Sequence, residues 1–366
     1  MPFYDLRAQV VGYADELRTA FDEVLDSGYF VGGAAVERFE RDWADRVGTA
    51  EAVGVGNGLD AIRLILESYG IGPGDEVIVP AFTYYATWLA VLQTGATLVP
   101  VDVQPSTAAI DAERIAEAIS PATKAILVVH LYGIPADVGA LRRIADEAGI
   151  LLVEDAAQAH GLPGVGSIGD AAAWSFYPTK NLGALGDAGG VTTDDAAVAA
   201  RIRSRRSYGQ GADKYDHVDT GWNSRLDPIQ AAFLSVHLSK LDSWIARRRE
   251  IAAAYIEAVG AGFVGPSDPA GSVWHHFVLR AADRGALRDA LLEQGVTTDV
   301  HYPYDISTVT PVQTSLRRPP SGAPHAMRLG EQVVSLPIGA WMTDAQVERV
   351  AAGLRRLPAG ALVDGG

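Results

Sequence analysis

The chain has no cysteine, which excludes disulfides, thiolate catalysis, iron–sulfur ligation and cysteine-based zinc sites together. Positive charge is scarce: 30 lysines and arginines stand against 45 aspartates and glutamates, a formal charge of -15. A surface that acidic repels phosphate backbones and anionic headgroups, so neither nucleic acid nor a membrane is an expected partner. The opening MPFYDLRAQVV lacks a basic start, an apolar core and a small-residue cleavage site, so export is not indicated and a cytoplasmic setting is expected. The eight histidines, at 130, 160, 217, 237, 275, 276, 301 and 325, show no H-E-x-x-H spacing, and no G-x-S-x-G turn occurs. No metal site is expected. One stretch, Val77 to Val101, carries no charge over 25 residues, but Pro80, Gly95 and Pro100 break it into two β-branched runs around a helix-like middle. It reads as buried α/β core rather than a membrane span.

What is present fits a folded α/β protein. The 366 residues suffice for two domains; hydrophobic residues are 48% and charged residues 20%. Buried-strand candidates recur at Val77–Pro80, Thr97–Val101, Ala125–His130, Ile150–Glu154, Ala172–Phe176 and Gly190–Thr193, with amphipathic helices such as Leu59–Tyr69 and Val138–Ala148 between them. The expected fold is a mixed, mostly parallel sheet covered by helices, with helical segments Ala14–Leu25 and Ala34–Arg46 outside it. A long helical pattern opens at Pro228, with Asp227 as cap, and continues to Val259. Residues 1–244 are expected to form the large domain and 245–366 a smaller α+β domain, with a strand at Val273–Arg280 and a frayed PAGALVDGG tail.

The lysine census points to the chemistry. Only Lys124, Lys180, Lys214 and Lys240 occur, and Lys180 alone lies in a stretch without other charge, AAAWSFYPTKNLGALG. Burial there would lower its pKa, as an amine nucleophile requires; a lysine reaching solvent from a loop is the plainer alternative. Asp155 ends the strand-like run GILLVEDAAQAHG, where ligands of open α/β sheets bind. A carboxylate there could hold the proton of a pyridine nitrogen and so make pyridoxal phosphate an electron sink, or it could cap a turn. Gln158 could reach the ring's phenolic oxygen or cap the same turn. In GVGNGLDAIRLIL a Gly-rich turn runs into a helix and offers free N–H groups to a phosphate, although Asn57 and Asp60 could be a simple capping pair. Gly164, Gly166 and Gly169 match G-x-G-x-x-G, but a strand-like run rather than a helix follows, so a dinucleotide site is not expected. Tyr84 offers a ring face for stacking or for core packing.

With EDAAQAHG followed by WSFYPTKNLGALGDAGG, the chain resembles the DegT/DnrJ/EryC1/StrS family of pyridoxal-phosphate-dependent sugar aminotransferases from about Phe3 to Val350. DLRAQ, GNGLDAI, VVHLYGIPAD, SYGQ, TGWNSRLDPIQAAFL and SLPIGAWMTDAQVERV extend the match. The resemblance implies the fold type I (aspartate aminotransferase-like) architecture and a homodimer whose subunits share active sites. It implies Lys180 as the lysine that holds the cofactor and shuttles the proton, where dehydrating relatives carry histidine. Asp155 is implied for the pyridine nitrogen, Gln158 for the phenolic oxygen and Tyr84 for ring stacking. Ser175 and the backbone of Gly58 and Leu59 are implied for the phosphate, with Asn223 joining from the partner subunit. Leu59 stands where many members have threonine. GNGLDA and ATWLAV look most like enzymes that aminate carbon 3 of nucleotide-linked, dTDP in the first instance, 3-keto-6-deoxyhexoses.

The expected donor is L-glutamate. Arg201, Arg203, Arg205 and Arg206, before Tyr208, are candidates for the substrate's diphosphate, or else a solvated helix face. His301 to Tyr304 are expected near the sugar, in a segment, HYPYDISTVTPVQ, that departs from the family's HYP-x-P-x-H. A keto-cyclitol or 4-keto sugar is the alternative acceptor, glutamine the alternative donor, and a non-catalytic regulatory protein on the same fold the alternative class.

Overall fold

The computed structural model describes residues 1–213 and 215–363; Lys214 lies outside the described residues. Seven strands build the large sheet: β1 (Glu51–Val55), β2 (Glu76–Pro80), β3 (Thr97–Val101), β4 (Thr123–Val129), β5 (Leu151–Asp155), β6 (Ala171–Ser175) and β7 (Gly189–Thr193). Their order is β1-β7-β6-β5-β4-β2-β3. Every pairing is parallel except those of β7, which runs antiparallel to both β1 and β6. Three further strands, β8 (Phe263–Val264), β9 (Phe277–Arg280) and β10 (Val333–Leu336), form an antiparallel sheet ordered β10-β9-β8.

The parallel strands are buried on both faces because helices cover both, which is why they read as continuous apolar runs rather than alternating ones. Helix Val138–Ala148 illustrates how locally these boundaries are set. Asp137 accepts a hydrogen bond from the Ala140 N–H at 2.9 Å, and Gly149 ends the helix in the left-handed region at φ 65. The uncharged run from Val77 to Val101 is β2, helix Tyr85–Thr94 and β3, fastened by Trp88 Nε1 donating to the Pro80 carbonyl at 2.9 Å. Among the described residues no helix is long and apolar enough to cross a membrane. Leu64 and Ile65 of helix Gly58–Ser68 are fully buried against the sheet, each worth roughly 1.5–3 kcal/mol.

Four local expectations are corrected. The pattern from Pro228 to Val259 is two helices, Pro228–Leu238 and Leu241–Val259, broken at Ser239 and Lys240, and Asp227 caps the first without a side-chain hydrogen bond. β1 is not among the expected strands at all, because EAVGV is short, charged at one end and carries a glycine. The strand expected at Val273–Arg280 is regular only from Phe277. The tail does not fray where described: Val363 N–H donates to the Arg280 carbonyl at 2.8 Å and Leu362 pairs with Ala281.

Candidate active site

The carboxyl ends of β5 and β6, parallel neighbours, bring Asp155 and Ser175 to the same edge of the sheet. Asp155 is 6% exposed. Its Oδ2 accepts the Thr87 hydroxyl at 2.8 Å and its Oδ1 the Ala157 N–H at 3.2 Å. The latter bond is the turn-capping role considered for it, but no helix follows. Burial pushes the carboxyl above its usual range, opposed by those two hydrogen bonds and by the nearby charges of Lys180 and His130. Among the described residues it forms no salt bridge, so its charge has no described cation in contact.

Lys180 follows β6 in a tight loop. Phe176 N–H donates to Ala188 at 2.8 Å, Lys180 N–H to Tyr177 at 2.8 Å and Ala184 N–H to Phe176 at 2.7 Å. A Cβ on Gly183 would stand 2.6 Å from the Pro178 carbonyl oxygen, so the loop needs glycine there. The residue is partly exposed. Burial lowers its amine to about 8, with Asp155 pulling the other way. The amine takes no hydrogen bond or ion pair from the described residues. The other described lysines differ: Lys124 is exposed and Lys240 pairs with Glu16 at 2.9 Å. Lys180 and Asp155 therefore sense each other's charge without touching.

The Gly-rich turn closes the third side. A Cβ on Gly58 would come within 2.7 Å of Ser175 Cβ, so only glycine lets the helix start lie against β6. Asn57 Oδ1 does cap the helix, accepting the Asp60 N–H at 2.9 Å. The N–H groups of Gly58 and Leu59 keep no partner among the described residues, next to Ser175 Oγ. Leu59 itself packs against the core.

Two loops cover this edge. Tyr84, 53% exposed, precedes helix Tyr85–Thr94, and its ring lies 5.2 Å from Tyr302. Gln158 Oε1 accepts the Tyr132 N–H at 2.6 Å, and its Nε2 donates to the Tyr302 hydroxyl at 3.1 Å, which leaves one amide proton free. Gln158 is therefore already oriented by the protein. His301 Nδ1 meets Ser335 Oγ at 2.8 Å, and its carbonyl accepts the Tyr132 hydroxyl. Its ring stacks on His276 with centroids 3.9 Å apart. Burial brings His301 down to about 4, with Lys180 adding to the effect and Asp299 opposing it. His275 and His276 are lowered further, again by burial first. The amine thus sits among histidines that stay neutral near pH 7.

The four candidate arginines lie on helix Ala196–Arg205 or at its C-terminal cap. Arg206 donates to Glu40 at 2.6 Å and to the Gly54 carbonyl at 2.6 Å, Arg203 pairs with Glu51 at 2.8 Å, and Arg205 pairs with Asp219 at 2.7 Å. Three of the four pair with carboxylates of this chain, and Arg201 is exposed. Tyr208 is 45% exposed, with its N–H donating to the Trp222 carbonyl at 2.8 Å. Asn223 is exposed at the end of that loop.

The DegT/DnrJ/EryC1/StrS aminotransferase family model matches residues 13–355. The chain belongs to this family. A dTDP-3-amino-3,4,6-trideoxy-alpha-D-glucose transaminase of Streptomyces venezuelae is 44% identical over 97% of this chain and 95% of its own. The crystal structure of S. venezuelae DesV in complex with a ketimine intermediate aligns with TM-score 0.91 at 44% identity, over 97% of each chain. That of NtdA from Bacillus subtilis with bound cofactor PMP aligns with TM-score 0.90 at 32% identity, over 97% of this chain and 84% of that one. The member described here is an aminotransferase of fold type I. The family's cofactor is pyridoxal 5'-phosphate, and the residues present fit it: a buried acid without a cation, a buried amine without a partner, and a glycine cradle with free N–H groups.

Several contributors in this aminotransferase were not found from sequence: Thr87, Tyr132, Asn181 and the pair His275 and His276. Asn181 Nδ2 donates to the Val273 carbonyl at 2.9 Å and ties the lysine loop to the C-terminal part. Thr87 had a signal, since the hydroxyls of Thr83 and Thr87 lie in FTYYAT directly after a strand end and a buried acid needs donors. The others are brought in by contacts between distant parts of the chain, such as Asn181 with Val273 and Tyr132 with His301, where local pattern is silent.

Proposed function

We propose that the chain transfers the amino group of L-glutamate to carbon 3 of a dTDP-linked 3-keto-6-deoxyhexose. The observation that carries the reading is the unpaired, partner-free Lys180 facing the uncompensated Asp155 across the edge of the sheet. The relatives' substrates support the sugar class. Bound pyridoxal phosphate supplies the electron sink that lets an α-proton leave carbon. Asp155 holds a proton at the ring nitrogen. Gly58 N–H, Leu59 N–H and Ser175 Oγ would hold the phosphate, Tyr84 would supply a stacking face, and the remaining amide proton of Gln158 would be available to the phenolic oxygen. With its amine lowered to about 8, Lys180 Nζ is unprotonated in about a tenth of molecules at pH 7, far more than an ordinary lysine, so it can take that proton and return it in either half reaction. His301 and Tyr302 line the side from which the sugar approaches.

The working unit in this reading is a homodimer, in which Asn223 reaches the phosphate bound by a second copy. Exposure of Tyr208, Trp222 and Asn223 on one loop supports it. Residues 1–244 and 245–366 act as two domains, supported by a separate apolar core around Ile251, Trp274, Phe277 and Val350.

The test is purified enzyme with dTDP-linked 3-keto and 4-keto sugars and a keto-cyclitol, each with glutamate or glutamine, read by product mass. Amination of the 3-keto sugar with glutamate is expected. Amination of only the 4-keto sugar or cyclitol, or only with glutamine, replaces the acceptor or donor named here. No amination at all favours a non-catalytic role.

A further inference from the structure

Among the described residues Asp155 accepts hydrogen bonds from only two groups, and one is a side chain the cofactor does not touch in the reading above. Thr87 Oγ1 lies 2.8 Å from Asp155 Oδ2 and 3.1 Å from Thr83 Oγ1. Both threonines are 1% exposed. A hydroxyl has one proton to donate, so if Thr87 gives its proton to the carboxylate, the contact with Thr83 requires Thr83 to be the donor. The two hydroxyls then form a chain with both protons directed at Asp155, and such chains polarise one another. The helix that carries Thr87 is held from outside: Tyr85 N–H donates to the Tyr304 hydroxyl at 3.3 Å, and Ile306 N–H to the Ala81 carbonyl at 3.0 Å. Tyr84 gives the helix no side-chain cap, so Tyr304 fills that place.

We propose that Thr87, backed by Thr83, is a positioning residue that keeps Asp155 a charged acceptor for the ring nitrogen of the cofactor. This rests on the reading that Asp155 faces that nitrogen. Lys180 and His130 are the charged or titratable groups that also bear on Asp155, and neither hydrogen-bonds its carboxylate, so the hydroxyl chain and the Ala157 N–H alone hold the oxygens. Burial works against the charge, and removing the Thr87 hydroxyl leaves Oδ2 without a donor.

The experiment loads the holoenzyme with pyridoxal phosphate labelled with ¹⁵N in the ring and reads the nitrogen by NMR, together with cofactor Kd. Wild type and the conservative Thr87→Ser are expected to give a protonated ring nitrogen. Thr87→Val is expected to move the signal toward the unprotonated form and to raise Kd about tenfold. Thr83→Val, which keeps the Thr87 hydroxyl, should move it the same way by less, and decides the matter should Thr87→Val not fold. A folded Thr87→Val with the wild-type signal and Kd overturns the proposal, as does an unmoved Thr83→Val in the other case. Asp155→Asn is the separate control: a protonated nitrogen in that variant means the ring nitrogen does not face Asp155, and the underlying reading falls.

Discussion

Glu154 and Asp155 are neighbours on β5 with opposite fates. Glu154 is 0% exposed, and its carboxylate accepts from His130 Nε2 at 2.9 Å, Gly166 N–H at 2.9 Å, Ile168 N–H at 3.3 Å and Gly169 N–H at 2.7 Å. Those bonds outweigh burial and hold it below the usual carboxylate range. Asp155, on the other face of the strand, has two donors, and burial holds it above that range. His130 Nδ1 accepts the Ala136 N–H at 3.2 Å, which turns its Nε2 toward Glu154. One acid is saturated by its own chain and serves the fold; the other is left short of partners and serves chemistry.

The same contrast separates the two glycine turns. Gly164 to Gly169 wraps its N–H groups around Glu154, an anion the chain supplies, whereas the turn at Gly58 leaves its N–H groups open beside Ser175. A glycine pattern therefore marks an anion nest without saying whose anion fills it.

Asp155→Asn is the strongest way to break the comparison. It is expected to lower kcat/KM about ten-thousandfold, roughly 5.5 kcal/mol, in steady-state assays. The cofactor-free variant should melt no lower than wild type, because a buried unpaired charge is removed. A loss of stability would make Asp155 a second structural acid. Glu154→Ala reverses the pattern: four donors lose their acceptor, and unfolding by denaturant should show a loss of about 3 kcal/mol. Turnover per folded, cofactor-loaded molecule is expected to stay within about threefold of wild type, and a collapse of turnover in fully folded protein would erase the distinction.

Acid sharpens the account. His160 is lowered to about 3 and His301 to about 4, both by burial, from an ordinary 6.5. The folded state keeps them neutral while the unfolded chain binds protons, so stability present above 6.5 is lost as pH falls from there toward 4. Each contributes about 1.4 kcal/mol per pH unit across that window. Glu154, depressed instead, adds its loss only below its ordinary 4.5. Melting curves at stepped pH test this: flat stability between 6.5 and 5 would mean these rings protonate in the folded state. The smallest effect concerns Arg206→Ala, which should cost about 1 kcal/mol of stability through Glu40 and Gly54 and leave KM for the sugar nucleotide unchanged. A large rise in KM would return Arg206 to the substrate site.

What was legible in the sequence follows from range. The β-branched runs of β2 and β3, the Asp137 and Gly149 boundaries, and the order Asp155, Ser175, Lys180 are local patterns and needed no tertiary information. The committed state of Arg206 was not legible, because Glu40 lies 166 residues away. Nor was the orientation of Gln158 by Tyr302, 144 residues apart. Glu154 and Asp155 look alike in GILLVEDAAQAHG, and only the glycine loop and His130, brought to one side of the strand by folding, set them apart.

The central claim is that Lys180 carries the cofactor. Borohydride reduction of the holoenzyme, digestion and peptide mass spectrometry test it most directly. The account predicts the reduced cofactor's mass on the Lys180 peptide alone, with the visible-edge absorbance lost on reduction. The same mass on the peptides of Lys124, Lys214 or Lys240, or on none while the protein retains cofactor, would contradict it.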